Sequence, residues 1–271
     1  MPARKQARQN YSPPTHKTGI PAQQRTNTGG LLPKGERDMY YITGDTHGNC
    51  ARLLDFSQEY SLTAEDTIII LGDAGLNYYA DERDIRQKQL LQDTPATVFC
   101  IHGNHERRPQ AIAGYRQLSW HGGAVYQEDA YPNLLFAQDG ESFDFDGLSV
   151  IVIGGAFSVD KDQRLQNGWN WFADEQPDEQ VRSRVEAQLE RLGWQVDIVL
   201  SHTCPLRYEP REAFLDGIDQ AKVDKSTELW LDEIEARLQY RRWYCGHHHT
   251  TKRIDRLQFM YKDYDMLGNG Y

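Results

Sequence analysis

The chain has 271 residues, 39% of them hydrophobic and 11% aromatic, enough to bury one large core or two small ones. No uninterrupted apolar run approaches the ~20 residues of a membrane span, and a net charge of −10 argues against broad, nonspecific binding to nucleic acid. These figures exclude a membrane protein and a disordered one; four cysteines (Cys50, Cys100, Cys204 and Cys245) with no C-x-x-C pair exclude a disulfide scaffold.

Residues 1–38 combine Ser, Thr, Asn, Gln, Gly and Pro with hardly any apolar side chain, a composition that cannot offset the entropy of ordering. Within 1–37 seven cationic residues face Glu36 alone, a surplus of six that leaves the remainder at −16 against the whole chain's −10. The expectation is a basic, disordered tail (1–38) and one folded domain (39–271). The tail's charges are scattered, which favours a passive tail, or an extension ahead of a start at Met39, over a basic arm for an acidic partner. The basic N-terminus has no apolar stretch behind it, so it does not read as a secretory leader. With four unpaired thiols, a cytoplasmic protein is expected.

From Met39 onward strand and helix alternate. Tyr40–Thr43 reads as a strand, residues 51–60 as a helix with Leu53, Leu54 and Phe56 inward, and 67–71 as a buried strand. Residues 81–92 read as a helix polar on one side, and 96–101 as a further strand. Phe143-Asp144-Phe145-Asp146-Gly147 looks like a hairpin entering the strand Leu148–Ile153. A helix over about 177–192 puts Val181, Val185, Leu189 and Leu192 on one face, with Pro177 near its start and Gly193 past its end. Residues 197–200 read as a strand and 227–238 as a helix, acidic early and carrying Arg237 late. Arg242–Cys245 and 253–261 read as strands. This alternation implies an α/β layered domain, whose ligands gather at the carboxyl ends of strands.

Five apolar strands run into polar clusters there: Gly44-Asp45-Thr46-His47-Gly48, Gly72-Asp73, His102-Gly103-Asn104-His105-Glu106, Ser201-His202 and Gly246-His247-His248-His249. Seven of the nine histidines fall in four of these clusters, a concentration that scattered surface histidines would not produce. Carboxylate and imidazole together suit Mn, Fe, Co, Ni or Zn. Asp45 and His47 lie two apart, so in an extended segment they point to one side, and His247 and His249 repeat that spacing. Two carboxylates, several imidazoles and an amide exceed the roughly three or four protein ligands of a single catalytic zinc. Two metals are the economical reading. His102 reads as a packed or hydrogen-bonded neighbour and His248 as pointing away from the pair beside it. His16 and His121 read as surface or loop residues, and the cysteines as small buried hydrophobes.

The ordered set G-D-x-H-G, G-D, G-N-H-E, a lone histidine after a strand, and G-H-x-H resembles the calcineurin-like metallophosphoesterases, over 39–249 and on to about residue 261. The resemblance implies an α/β fold of two packed mixed β-sheets flanked by helices, an αββα sandwich. It implies a phosphoesterase that hydrolyses a phosphomonoester or phosphodiester by in-line attack of a metal-activated hydroxide. In that pattern Asp45, His47 and His249 hold a first divalent metal, and Asp73 bridges to a second held by Asn104, His202 and His247. His105 stays unligated beside the leaving group as proton donor. The ions would be manganese, iron, zinc, cobalt or nickel, and the substrate a small phosphate ester or nucleotide.

One branch of the family, the protein Ser/Thr phosphatases, continues the second motif as G-D-x-V-D-R-G. Here Leu76 stands where that branch has the acidic partner of the catalytic histidine, and Asn77 where it has a phosphate-binding arginine. A protein phosphatase is therefore not expected, and the sequence leaves open what orients His105. Two rivals remain: a nuclease acting on DNA or RNA, and a catalytically silent metal-binding scaffold, against which every ligand position and His105 are filled. Residues 158–172 carry Lys161, Arg164, Trp169 and Trp171 and read two ways. Either a cation contacts substrate phosphate and a tryptophan stacks on a base, or, the preferred reading, the tryptophans seal a sheet edge and the cations pair with carboxylates. Arg107 and Arg108 either border the cleft or form a solvated turn.

Overall fold

The structure is a computed structural model describing residues 38–268; the expected tail lies, Asp38 excepted, outside the described residues. The chain opens with β1 (Tyr40–Thr43), α1 (Ala51–Glu59), β2 (Thr67–Ile70), α2 (Glu82–Leu91) and β3 (Thr97–Cys100). β4 (Tyr115–Trp120), β5 (Gly123–Glu128) and β6 (Leu134–Ala137) follow, then β7 (Ser142–Phe145) and β8 (Leu148–Ile153). After α3 (Lys161–Asn167) and α4 (Glu179–Arg191) come β9 (Ile198–Ser201), α5 (Ser226–Arg237) and β10 (Arg242–Cys245). β11 (Lys252–Ile254), β12 (Leu257–Phe259) and β13 (Asp265–Met266) complete it.

The strands form two mixed sheets, ordered β13-β1-β2-β3-β6-β5-β4 and β11-β12-β10-β9-β8-β7. The middle of each is parallel: β1, β2, β3 and β6 in the first, β8, β9, β10 and β12 in the second. In register Ile42 lies beside Ile69 and Ile69 beside Phe99, while Val150 lies beside Ile198 and Leu200 beside Tyr244.

Successive side chains on a strand face opposite ways, and here both faces are buried. Ile69 and Phe99 of the first sheet meet Val150, Val152, Leu200 and Tyr244 of the second in the inter-sheet core. Ile68, Ile70 and Val98 turn the other way, onto Leu53 and Phe56 of α1 and Leu91 of α2. Ile151, Val199 and Trp243 turn outward onto Val185 and Leu189 of α4 and Trp230 and Ile234 of α5. Double burial is why these strands read as continuous apolar runs, and the layers are helix, sheet, sheet, helix, as expected.

Several boundaries differ from the sequence reading. Leu54 and Leu192 are only half-buried, whereas Ser57 is buried and accepts from Thr94 Oγ1 at 2.8 Å. The N-cap of α4 is Asp178, whose carboxylate accepts from the Val181 amide, so Pro177 stands one residue before the cap. The single strand expected over 253–261 is the antiparallel hairpin β11–β12. The hairpin β4–β5, strand β6 and helix α3 had no counterpart in the pattern. Among the described residues no helix is long and apolar enough to cross a membrane, and the four cysteines are free and buried.

Candidate metal centre

Because the parallel strands of both sheets end at one edge of the sandwich, their carboxyl-end loops meet there. The loops after β1 and β2 are laced together: the amides of His47 and Gly48 donate to the carbonyls of Asp73 and Ala74 at 2.8 and 3.0 Å. Arg52, in the first turn of α1, donates to Thr43 Oγ1 and the Gly44 carbonyl at 2.8 Å each, clamping the first loop from behind. Four expected ligands have left-handed backbone: His47 (φ 46), Asp73 (φ 51), His247 (φ 62) and His249 (φ 48). Each such conformation costs about 1–3 kcal/mol and persists only where its surroundings over-determine it. Two glycines let the loops close in. A Cβ on Gly103 would collide with the Asp73 carboxylate and amide, and one on Gly72 (φ +89) would collide with the His202 ring.

All the expected site residues come together. Asp45 and Asp73 are 3% and 1% exposed. His249 Nε2 lies 3.2 Å from Asp45 Oδ2 and 2.9 Å from His47 Nε2. His47 Nδ1 faces Asp73 Oδ2 at 3.9 Å. His202 Nε2 is 3.8 Å from Asp73 Oδ1 and 2.8 Å from Asn104 Oδ1, which His247 Nδ1 also approaches at 3.1 Å. The amides of His247 and His105 donate to Asp45 Oδ1 and Asp73 Oδ1 at 2.9 and 2.8 Å. Two groups have donor atoms close enough to share one ion: Asp45 with His47 and His249, and Asp45 with Asp73 and His202. Asp45 thus belongs to both groups, while His247 joins the second through Asn104. Two imidazole nitrogens this close to each other and to a buried carboxylate oxygen form a donor set that a divalent cation satisfies at once.

Electrostatics follow the geometry. Burial alone would raise the Asp45 carboxyl, but the hydrogen bond to His249 and the nearby imidazoles outweigh it and hold the group below the carboxylate range. That same hydrogen bond overcomes burial at His249 and raises its imidazole, whereas burial pushes His247 well below its ordinary value. Burial, with Arg164 adding to it, also lowers His105. Glu106, buried and accepting from the Gly103 amide at 2.8 Å, is pushed up to about 8 by burial and by the Asp73 charge.

Further residues surround the cluster, and of these Ser158 was not singled out in the sequence. Ser158, fully buried, accepts from Asn104 Nδ2 at 2.9 Å, which turns the amide oxygen toward His202 and His247. Its only sequence signal is its place just after Gly154-Gly155 at the end of β8. Arg164 Nη2 comes within 3.3 Å of His105 Nε2, so a cation stands beside the histidine whose neighbour the sequence left open. Leu76 lies in the core with α1, and Asn77 Oδ1 accepts from the Tyr115 hydroxyl at 2.9 Å. His248 does point away, onto Phe259 and Phe214, with Nε2 3.5 Å from Cys204 Sγ. His102 is buried, and its carbonyl accepts from the Gly155 amide. His121 sits in the β4–β5 turn, packed on Trp120.

Two readings need correction. Arg108 does not line the cleft that holds His47 and His105, nor is it solvated; it is buried and ion-paired with Asp139. Trp169 seals no edge, for it is 54% exposed and lines the cleft. The cation pairing does hold for Arg164, which donates to Asp160 Oδ1 at 2.8 Å, while Lys161 lies over the Trp171 ring at 4.0 Å. The cleft above the cluster has a volume of about 720 Å³, with His47 and His105 at its floor.

Among solved structures, the Thermus thermophilus protein TT1561 is similar over 85% of this chain and 98% of its own, at 12% identity and a TM-score of 0.50. The Aquifex aeolicus protein of unknown function AQ665 is similar over 64% of this chain and 82% of its own, at 13% identity and a TM-score of 0.32. At such identity the first of these speaks to the fold alone. No curated protein matches the sequence significantly. The family model for calcineurin-like phosphoesterases, however, matches residues 40–251, from the first residue of β1 to just past His249. That span takes in every loop that builds the candidate metal centre, and the chain belongs to the calcineurin-like phosphoesterase family.

Proposed function

We propose that the chain is a dinuclear metal-dependent hydrolase of small phosphate mono- or diesters, with 39–271 as its catalytic domain. The observation that carries this reading is the convergence of Asp45, His47 and His249 with Asp73, and of Asn104, His202 and His247, around one space that His105 also faces. Two divalent cations bound there would supply Lewis acidity to the phosphoryl oxygens and acidify a water nucleophile. Asp45 and Asp73 offset only part of that charge and the other ligands are neutral, so the centre stays positive enough to draw in a phosphate ester despite the acidic body.

As the water oxygen bonds to phosphorus, the ester P–O bond opposite it breaks. The water releases one proton to solvent and His105 delivers one to the departing oxygen, so the proton count balances. His105 faces that space, its Nε2 3.9 Å from Asp73 Oδ2 and 3.3 Å from Arg164 Nη2. The Gly103 and Gly72 approaches hold the ligating loops at fixed spacing, so little has to be reorganised when the ester docks. Four free, buried thiols support a reducing, cytoplasmic setting.

Purified full-length protein reloaded with Mn²⁺, Ni²⁺ or Zn²⁺ should hydrolyse 4-nitrophenyl phosphate, with about two ions bound per chain by elemental analysis. Asp73→Asn and His249→Ala should lose both. Equal turnover by wild type and Asp73→Asn would overturn the assignment; bound metal with no turnover of any ester would favour the silent scaffold.

A further inference from the structure

The cleft does not stop at the metal centre. From His47 and His105 it runs outward between the loop carrying Tyr78 and Tyr79 and the segment 158–172, which carries Arg164 and Trp169. At the inner end stands Arg164, with its side chain 14% exposed. Its Nε donates to Asp160 Oδ1 and its Nη1 to the Tyr78 hydroxyl, each at 2.8 Å. The Nη2 edge is left toward the site, 3.3 Å from His105 Nε2. A guanidinium only donates and stays charged, so this edge is a fixed positive donor where a phosphoryl group must sit to reach His105.

The outer end is aromatic. Trp169 and Tyr79 are 54% and 41% exposed, large apolar rings left to solvent at the mouth of a cleft. The Arg83 guanidinium covers one face of Tyr79 at 3.4 Å from its centroid, which stiffens that wall. Gln87, Arg86 and Asn170 supply polar groups around the same space, which suits a heteroaromatic ring with a hydrogen-bonding edge better than a hydrocarbon.

The two ends are tied together. Helix α3 stops at Gly168 (φ +66), and the Trp169 amide donates to the Arg164 carbonyl at 2.8 Å. The exposed ring and the inward cation are therefore set relative to each other by one helix terminator. Asn170 Nδ2 donates to the Tyr78 carbonyl at 2.7 Å and fastens the segment to the opposite wall.

We propose that residues 158–172 are the substrate-reading arm of this site, in which Arg164 takes the phosphoryl group beside His105 and Trp169, facing the Tyr79 wall, takes the base of a nucleoside phosphate. This rests on the phosphoesterase reading and narrows its substrate to a class. The commitment is to a mononucleotide-sized ester rather than a polynucleotide, because a described body this acidic repels a long polyanion.

Calorimetric titration of the full-length, Mn²⁺-loaded protein with AMP and with ribose 5-phosphate isolates the base. One base on an aromatic ring is worth about 5- to 150-fold in affinity. Wild type should prefer AMP within that range, Trp169→Ala should bring the ratio to near one, and Trp169→Phe should restore part of it. Arg164→Gln should weaken both ligands and inorganic phosphate alike while leaving the ratio. A wild-type ratio near one, a ratio that survives Trp169→Ala, or a single-stranded oligonucleotide binding more tightly than AMP would each overturn the proposal. Turnover of 4-nitrophenyl phosphate, measured alongside, separates the two layers: turnover without base preference sinks the arm alone, and absence of all turnover sinks the phosphoesterase reading.

Discussion

The inner faces of the two sheets and the loops that leave them are built by opposite rules. Ile69, Phe99, Val152 and Leu200 sit in regular strands, fully buried, and ask only for shape from their neighbours. A few residues later His47, Asp73, His247 and His249 adopt left-handed backbone and carry polar groups answered chiefly by other members of the cluster, Asp45, Asn104 and His105 among them. Stability and chemistry are thus divided along each strand, with a boundary only two or three residues wide between Ile70 and Asp73.

That division can be tested from both sides. Gly103→Ala should cut phosphoesterase activity by about 100-fold or more, since a displacement of roughly 1 Å in a reacting constellation is enough. Circular dichroism and the melting temperature should change little. Unfolding of that variant would mean that the loops also hold the sheets together. Ile69→Ala should do the reverse, lowering the free energy of unfolding by about 2–5 kcal/mol in urea titrations while the remaining folded molecules keep their metal.

Glu228 sharpens the comparison, because it is a polar group within the stability half. It is buried on α5, accepts from Thr203 Oγ1 at 2.8 Å, and burial pushes its carboxyl up to about 7. The folded state holds that proton more tightly than the unfolded chain does. Its contribution is therefore fully present below the ordinary carboxylate range and is lost as the pH rises through about 7. Glu228→Gln should stabilise the fold at pH 8 by on the order of 1–3 kcal/mol and be neutral near pH 4.5, as paired urea titrations would read. The smallest effect belongs to Asp178→Ala, which removes the α4 cap, costs about 1 kcal/mol and leaves turnover intact.

What was legible in the sequence follows the same boundary. Strands β1, β2, β3, β9 and β10 announced themselves because each is buried on both faces and runs into Gly, Asp or His. The hairpin turn Asp146-Gly147 was legible because both residues take positive φ (54 and 85) and Asp-Gly is the usual signature of such a turn. His121-Gly122 makes the same kind of turn between β4 and β5 (φ 47 and 85), but His-Gly carries no such signature and β4 is largely solvent-facing. Trp169 and Arg108 were misread for a related reason. Composition places tryptophan inside and arginine outside, and only tertiary packing reveals a tryptophan held at a cleft mouth and an arginine sunk against Asp139.

The Arg108–Asp139 pair has a consequence for engineering. Asp139 Oδ1 accepts from the Gly154 amide at 2.8 Å, and Arg108 Nε donates to the Asp174 carbonyl at 3.1 Å, so one ion pair staples the root of 158–172 to the residues just after His105. That segment is therefore not an interchangeable cassette. A transplant into another scaffold that brought Arg108 without Asp139 would strand a charge in the interior at a cost of about 3–5 kcal/mol, and the graft would take only with both residues carried along.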